Sequence, residues 1–124
     1  MAFKDFRDLI AYQKGFALSM EIYELTKAFP TEERYSLTDQ IRRSSRSTCA
    51  AIAEAYRKRN YPAHLVSKRI DADTENAETQ NWLLFAQACQ YISAEKAAAL
   101  MAQSREIGKL LAFMMDNPTK FRYQ

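Results

Sequence analysis

Apolar residues recur at helical spacing in four stretches of this chain, parted by short polar or proline-bearing connections. In the first stretch Leu18, Ile22, Leu25 and Phe29 stand at i, i+4, i+7 and i+11, and a row of Leu9, Tyr12, Phe16, Met20 and Tyr23 widens the stripe. The spacing predicts a helix from about Phe6 to Phe29 with a broad buried face. Pro30 ends it, because the residue before a proline is pushed out of helical geometry. After Thr31-Glu32-Glu33-Arg34 a second helix is expected from Ser36 or Leu37 to roughly Lys58. Its middle, Ser44 to Ala55, consists almost wholly of small side chains, which let another helix approach closely.

Asn60-Tyr61-Pro62 breaks the chain, and Pro62 suits the first position of a third helix that reaches Tyr91 or Ile92. Val66, Ile70, Ala77, Leu84, Ala88 and Tyr91 mark one seam on that helix, interrupted by Asp73, Thr74 and Asn81. Trp82, Phe85, Cys89 and Ile92 mark a second seam beside it. Ser93 reads as an N-cap, with Glu95 favourably placed in the first turn. A fourth helix then runs from Ala94 to about Met115, carrying Ala97, Met101, Ile107, Leu111, Met114 and Met115. Asp116-Asn117-Pro118 stops it and leaves Thr119 to Gln124 as a tail. The expectation is all-α: one domain over residues 1–124, an up-down-up-down four-helix bundle with antiparallel neighbours.

Composition narrows the alternatives. With 2 Gly and 3 Pro in 124 residues, the chain lacks the turn signals of a β-sandwich or barrel and any Gly-rich loop for a nucleotide phosphate. No apolar run approaches the ~18–20 residues of a membrane span. The charged N-terminal stretch does not read as a signal peptide, so a cytoplasmic location is expected.

Little of the usual bundle chemistry is available. A di-iron site needs Glu-x-x-His pairs on two helices; the sequence has one His, and Tyr61 precedes His64 by three. Four carboxylates, Asp71, Asp73, Glu75 and Glu78, spread over several faces of helix three and read as solvated or helix-pairing, with a weak divalent-cation site as the alternative. No Gly-x-Ser-x-Gly elbow is present, so neither an enzyme nor a cofactor is expected. Cys49 and Cys89 lack metal-ligand spacing and read as reduced, buried small residues.

Charge distribution says more than total charge, which is only +3. Between Arg34 and Arg69 nine basic residues face only Asp39 and Glu54. Arg42, Arg43, Arg46, Arg57, Lys58, Arg59 and Lys68 are the candidate nucleic-acid contacts, flanked by Tyr56 and Tyr61 as stacking surfaces. The competing reading pairs Asp39 with Arg42 or Arg43, and Glu54 with Arg57 or Lys58, at helical spacing. Tyr12, Tyr23, Tyr35, Trp82 and Phe113 are candidates for an intersubunit surface or for the core.

The block Glu33-Arg34-Tyr35-Ser36-Leu37-Thr38-Asp39-Gln40-Ile41-Arg42-Arg43-Ser44 resembles the signature of a four-helix bundle family encoded in intervening sequences of bacterial 23S ribosomal RNA genes. Phe6-Arg7-Asp8-Leu9, Tyr12-Gln13-Lys14, Ile22 to Lys27, Phe29-Pro30, Ile52-Ala53-Glu54 and Ala77 to Gln80 extend the resemblance over essentially the whole chain. Where the family commonly reads Pro-x-Asn-Ile-Ala-Glu-Gly, this chain has Cys49 to Ala55, which implies a straighter second helix. The resemblance implies a closed ring of five bundles, akin to the accessory proteins of diversity-generating retroelements. It makes Arg42 and Arg43, with Arg46, candidates for RNA contact or ring stabilisation. The leading expectation is a non-enzymatic homo-oligomer that contacts RNA, or less readily DNA. The rival is an interaction ring that binds another protein and uses its basic residues structurally.

Overall fold

The structure is a computed structural model that describes residues 5–116, with side chains placed as far as Met114. A 3-10 turn at Phe6–Asp8 leads through extended Leu9 into α1, Ile10–Thr26. After a second 3-10 turn at Thr31–Glu33 come α2, Leu37–Arg57, then α3, Pro62–Ala88, and α4, Ala94–Asp116. There are four helices and no strand among the described residues. α1 packs on α2 and α4, and α3 packs on α2 and α4, which closes the four into a bundle. None of these helices is long and apolar enough to cross a membrane.

The helix ends follow local chemistry. α1 stops at Thr26, three residues before the expected Phe29, because the last turn tightens: Ala28 N bonds Leu25 O and Phe29 N bonds Thr26 O. Pro62 opens α3 as expected, and Ser93 Oγ accepts from Lys96 N at 3.0 Å at the start of α4. α3 ends at Ala88, short of Tyr91, because Gln90 turns into the left-handed region at φ 63°. Tyr91 N then reaches back to Ala86 O at 2.9 Å, closing the helix end on itself. The expected stop at Asn117-Pro118 and the tail lie outside the described residues.

Ile22, Ile41, Ile52, Leu83, Leu100, Ile107 and Leu111 form the fully buried centre. At roughly 1.5–3 kcal/mol per large aliphatic side chain, their burial dominates the stability of the bundle. Each neighbouring pair of helices is also tied by a polar contact. Ser19 and Ser45 join α1 to α2 at 3.1 Å, and Ser44 and Thr79 join α2 to α3 at 2.8 Å. Between α3 and α4, Asn76 Nδ2 donates to Ser104 O at 2.9 Å while Ser104 Oγ donates to Asn76 Oδ1 at 2.8 Å. Gln103 Nε2 and Lys96 Nζ of α4 meet Glu21 of α1 at 3.1 and 3.3 Å. Buried hydroxyls and amides are tolerated only when paired, so these contacts fix the relative register of the helices.

Three expectations about burial are corrected. The buried face of α3 is Leu65, Ala72, Asn76, Thr79, Leu83 and Ala86. The seam expected there, with Ile70 and Leu84, faces outward, and so does Phe85. The polar residues Asn76 and Thr79, which have partners on α4 and α2, take the inward positions instead. In the second row of the first stretch Leu9 is buried in the core, but Phe16 and Met20 are about half exposed and lie beside it. Cys49 is buried, and burial pushes its thiol up to about 11, whereas Cys89 is exposed.

Candidate nucleic-acid interface

The seven basic candidates do not share one environment. Small residues in α2 bring it close to α1, and Arg42 lies over that junction, half-buried. Its Nε donates to Thr26 Oγ1 at 2.8 Å, a terminal nitrogen reaches Tyr23 O at 3.4 Å, and the guanidinium stands 4.8 Å from the Tyr23 ring centre. Arg42 therefore anchors the C-terminal turn of α1 to α2 without a carboxylate. Arg43 is exposed, with a loose 3.7 Å contact to Asp39 one turn earlier, and its charge also acts on Glu75 of α3. Arg46 is exposed and 5.7 Å from the same Tyr23 ring.

At the far end, Arg57 is exposed and Lys58 half-buried, neither side chain with a partner among the described residues. Arg59 folds back: Nη1 donates to Tyr56 O at 3.0 Å and the guanidinium lies 4.1 Å from the Tyr56 ring centre. Lys68 Nζ bridges Glu54 at 2.9 Å and Asp71 at 3.5 Å, and the Glu54 contact raises its pKa. Glu54 thus pairs across to α3 instead of with Arg57 or Lys58. Tyr56 is 4 % exposed, so it is a core residue with no face to offer a base; Tyr61 is open at 63 %.

Arg43, Arg46 and Arg57 fall on one outward stripe of α2, spread over about 21 Å of helix. Ala50 and Glu54 are also exposed on that side. Acidic groups bound the stripe towards α3. There burial, a hydrogen bond that protonated Glu75 donates to Glu78 and repulsion by Glu78 and Asp71 raise the Glu75 pKa. The described residues hold no cluster of His, Cys, Asp or Glu able to bind a metal ion. On the α1 side of the stripe runs an apolar groove of about 420 Å³, walled by Phe6, Tyr12, Phe16 and Met20, with Arg46 at its edge. Of the aromatic interface candidates, Tyr35 and Phe113 are exposed while Tyr12, Tyr23 and Trp82 are half-buried.

Residues 7–113 match the family model described as 23S rRNA-intervening sequence protein. The chain belongs to that family. A solved structure of a protein with unknown function from the S23 ribosomal protein family of Bacteroides thetaiotaomicron is similar at TM-score 0.79 and 29% identity. The likeness covers 89% of this chain and 98% of that one. No curated protein matches the chain. The 23S rRNA-intervening sequence family match spans the block Glu33 to Ser44, whose members divide between a structural anchor, Arg42, and solvent-facing Arg34 and Arg43. Arg34, absent from the candidates, has no ion-pair partner among the described residues and stands 5.9 Å from the Tyr35 ring. Its position beside Thr38 and Arg42 at four-residue spacing is the signal that could have singled it out.

Proposed function

We propose that this protein is a non-enzymatic, homo-oligomeric bundle that contacts nucleic acid, RNA in preference to DNA, through the outward arginines of α2. The supporting observation is the stripe of Arg43, Arg46 and Arg57, whose guanidinium groups remain available to solvent while neighbouring cations turn inward. Arginines so spaced meet backbone phosphates without reading bases. The family description, with its link to ribosomal RNA, favours RNA as the ligand. Two unlike apolar faces support self-association: the α1–α2 groove with Phe16 and Met20, and the α3 face with Ile70, Leu84 and Phe85. Unlike faces suit a head-to-tail contact that closes into a ring. A ring of five is the assembly that the family resemblance implies.

The test is binding of structured RNA and of duplex DNA as a function of salt. Three phosphate contacts per protomer give a log–log slope of about −2 to −3 per protomer engaged. Absence of binding at low salt overturns the nucleic-acid reading, and a monomer at micromolar concentration by light scattering overturns the ring. The inward use of Arg42, Arg59 and Lys68 favours the second reading, a protein-binding scaffold. That reading expects a stable ring whose α2 arginines can be changed to glutamine with no effect on RNA retention.

A further inference from the structure

A second pocket lies at the corner where α1 ends and α2 begins, away from the apolar groove. Its volume is about 180 Å³, and Thr26, Lys27, Phe29, Pro30, Thr31, Arg34, Thr38 and Arg42 line it. That is about six water molecules' share of space, enough for a tetrahedral oxyanion with some of its water. Three cationic side chains and three threonines converge there, and no carboxylate does. We infer that this corner pocket binds a phosphoryl group.

The chemistry of the lining carries the inference. Arg42 spends Nε on Thr26 and one terminal nitrogen on Tyr23 O, which leaves further guanidinium donors and holds the group rigid. Arg34 approaches from the connection and has no ion-pair partner among the described residues. Lys27 contributes less charge, because its ammonium is 3.2 Å from Glu24. Thr38, 7 % exposed, lines the pocket, and a hydroxyl can donate to an oxyanion there. Thr38 also stands in the first turn of α2, where the helix dipole favours negative charge. On the same connection Glu33 is turned elsewhere: it accepts from Ser36 Oγ, Leu37 N and Tyr91 OH.

The pocket goes beyond the α2 stripe and does not depend on it, since the phosphoryl group can come from an RNA backbone or from free phosphate. The test titrates inorganic phosphate into the full chain, followed by NMR of backbone amides and arginine Nε–H groups. Saturable shifts confined to Thr26–Arg42 are expected. Arg34→Gln should weaken them about tenfold, the loss expected for one charge-assisted hydrogen bond. Thr38→Val should weaken them too, Thr38→Ser should restore them, and Arg57→Gln should leave them unchanged. Weak shifts spread over every exposed Lys and Arg, equal in wild type and Arg34→Gln, would overturn the inference. In a second arm a single-stranded RNA oligonucleotide is added to the phosphate-loaded protein. Displacement of phosphate from the corner assigns the pocket to RNA, and continued phosphate binding assigns it to free phosphate. Failure of the RNA reading is seen separately, as loss of all salt-dependent RNA binding while phosphate still saturates the corner.

Discussion

Helices α2 and α3 use their polar and apolar residues in opposite ways. α2 takes Ser44, Ser45 and Thr48 into the core and leaves arginines outside. α3 takes Asn76 and Thr79 into the core and leaves Ile70, Leu84 and Phe85 outside. Both are stable choices because every inward hydroxyl or amide named here has a partner, from Ser19–Ser45 to Asn76–Ser104. The difference lies in what the outer face becomes. α2 presents separated positive charges, suited to phosphate, whereas α3 presents large apolar side chains, Ile70 near one end and Leu84 with Phe85 near the other, suited to another protein surface or a second copy of the chain.

The sharpest way to break this contrast is at two adjacent residues of α3. Leu83 is 1 % exposed and Leu84 is 54 % exposed. Leu83→Ala should destabilise by about 2–5 kcal/mol in urea unfolding. Leu84→Ala should change monomer stability by no more than about 0.5 kcal/mol and should instead weaken self-association seen by light scattering. Equal effects at the two sites would mean that the outward seam is not outward.

Next in size comes the inward amide. Asn76→Ala removes both bonds to Ser104 and should cost about 2–3 kcal/mol, measured by the same unfolding experiment. A smaller loss, about 1 kcal/mol, is expected for Ser44→Ala, because Thr79 Oγ1 keeps its bond to Glu75 O. The smallest effect sits outside both helix faces, at the Glu33–Tyr91 tie. Hydrogen bonds from Ser36, Tyr91 and Leu37 lower the Glu33 pKa, so its contribution is present above the ordinary value of 4.5 and lost as pH falls through the folded value. Accepting from Tyr91, Glu33 raises that phenol to about 12, so the matching contribution is full below 10.0 and lost as pH rises through about 12. Melting temperature should therefore fall at both ends of that window, and Tyr91→Phe should flatten the alkaline fall.

Much of the fold was legible in the residues, and the reasons are local. Pro62 and Ser93 act on their own backbone, so the number of helices and the starts of α3 and α4 could be read directly, whereas α1 begins and ends inside its expected bounds. The face of α3 could not be read, because apolar spacing reports that a stripe is hidden somewhere, not that the same chain hides it. Nothing marked Asn76 and Thr79 as inward, since their partners, Ser104 and Ser44, lie 28 and 35 residues away in sequence. The candidate interface was legible as a concentration of charge. It was not legible which charges were free: the partners of Arg42 and Lys68, Thr26 and Glu54, stand on other parts of the bundle or at unanticipated spacing. Arg34 was counted but not singled out, because its relation to Thr38 and Arg42 becomes a pocket only when α1 supplies Thr26 and Thr31 follows.

Both glycines lie inside helices, Gly15 in α1 and Gly108 in α4, while the one left-handed residue among those described is Gln90. Gly15 is held there by crowding, since a Cβ would come within 3.2 Å of Cys49 Sγ. The α3–α4 corner is under the opposite condition, with a side chain where none is wanted. Gln90→Gly should relieve about 1 kcal/mol of backbone strain without touching the arginine stripe, the groove or the corner pocket. The molecule thus contains its own stabilising substitution, and a chain bearing it would keep harsh variants such as Asn76→Ala folded long enough to be measured.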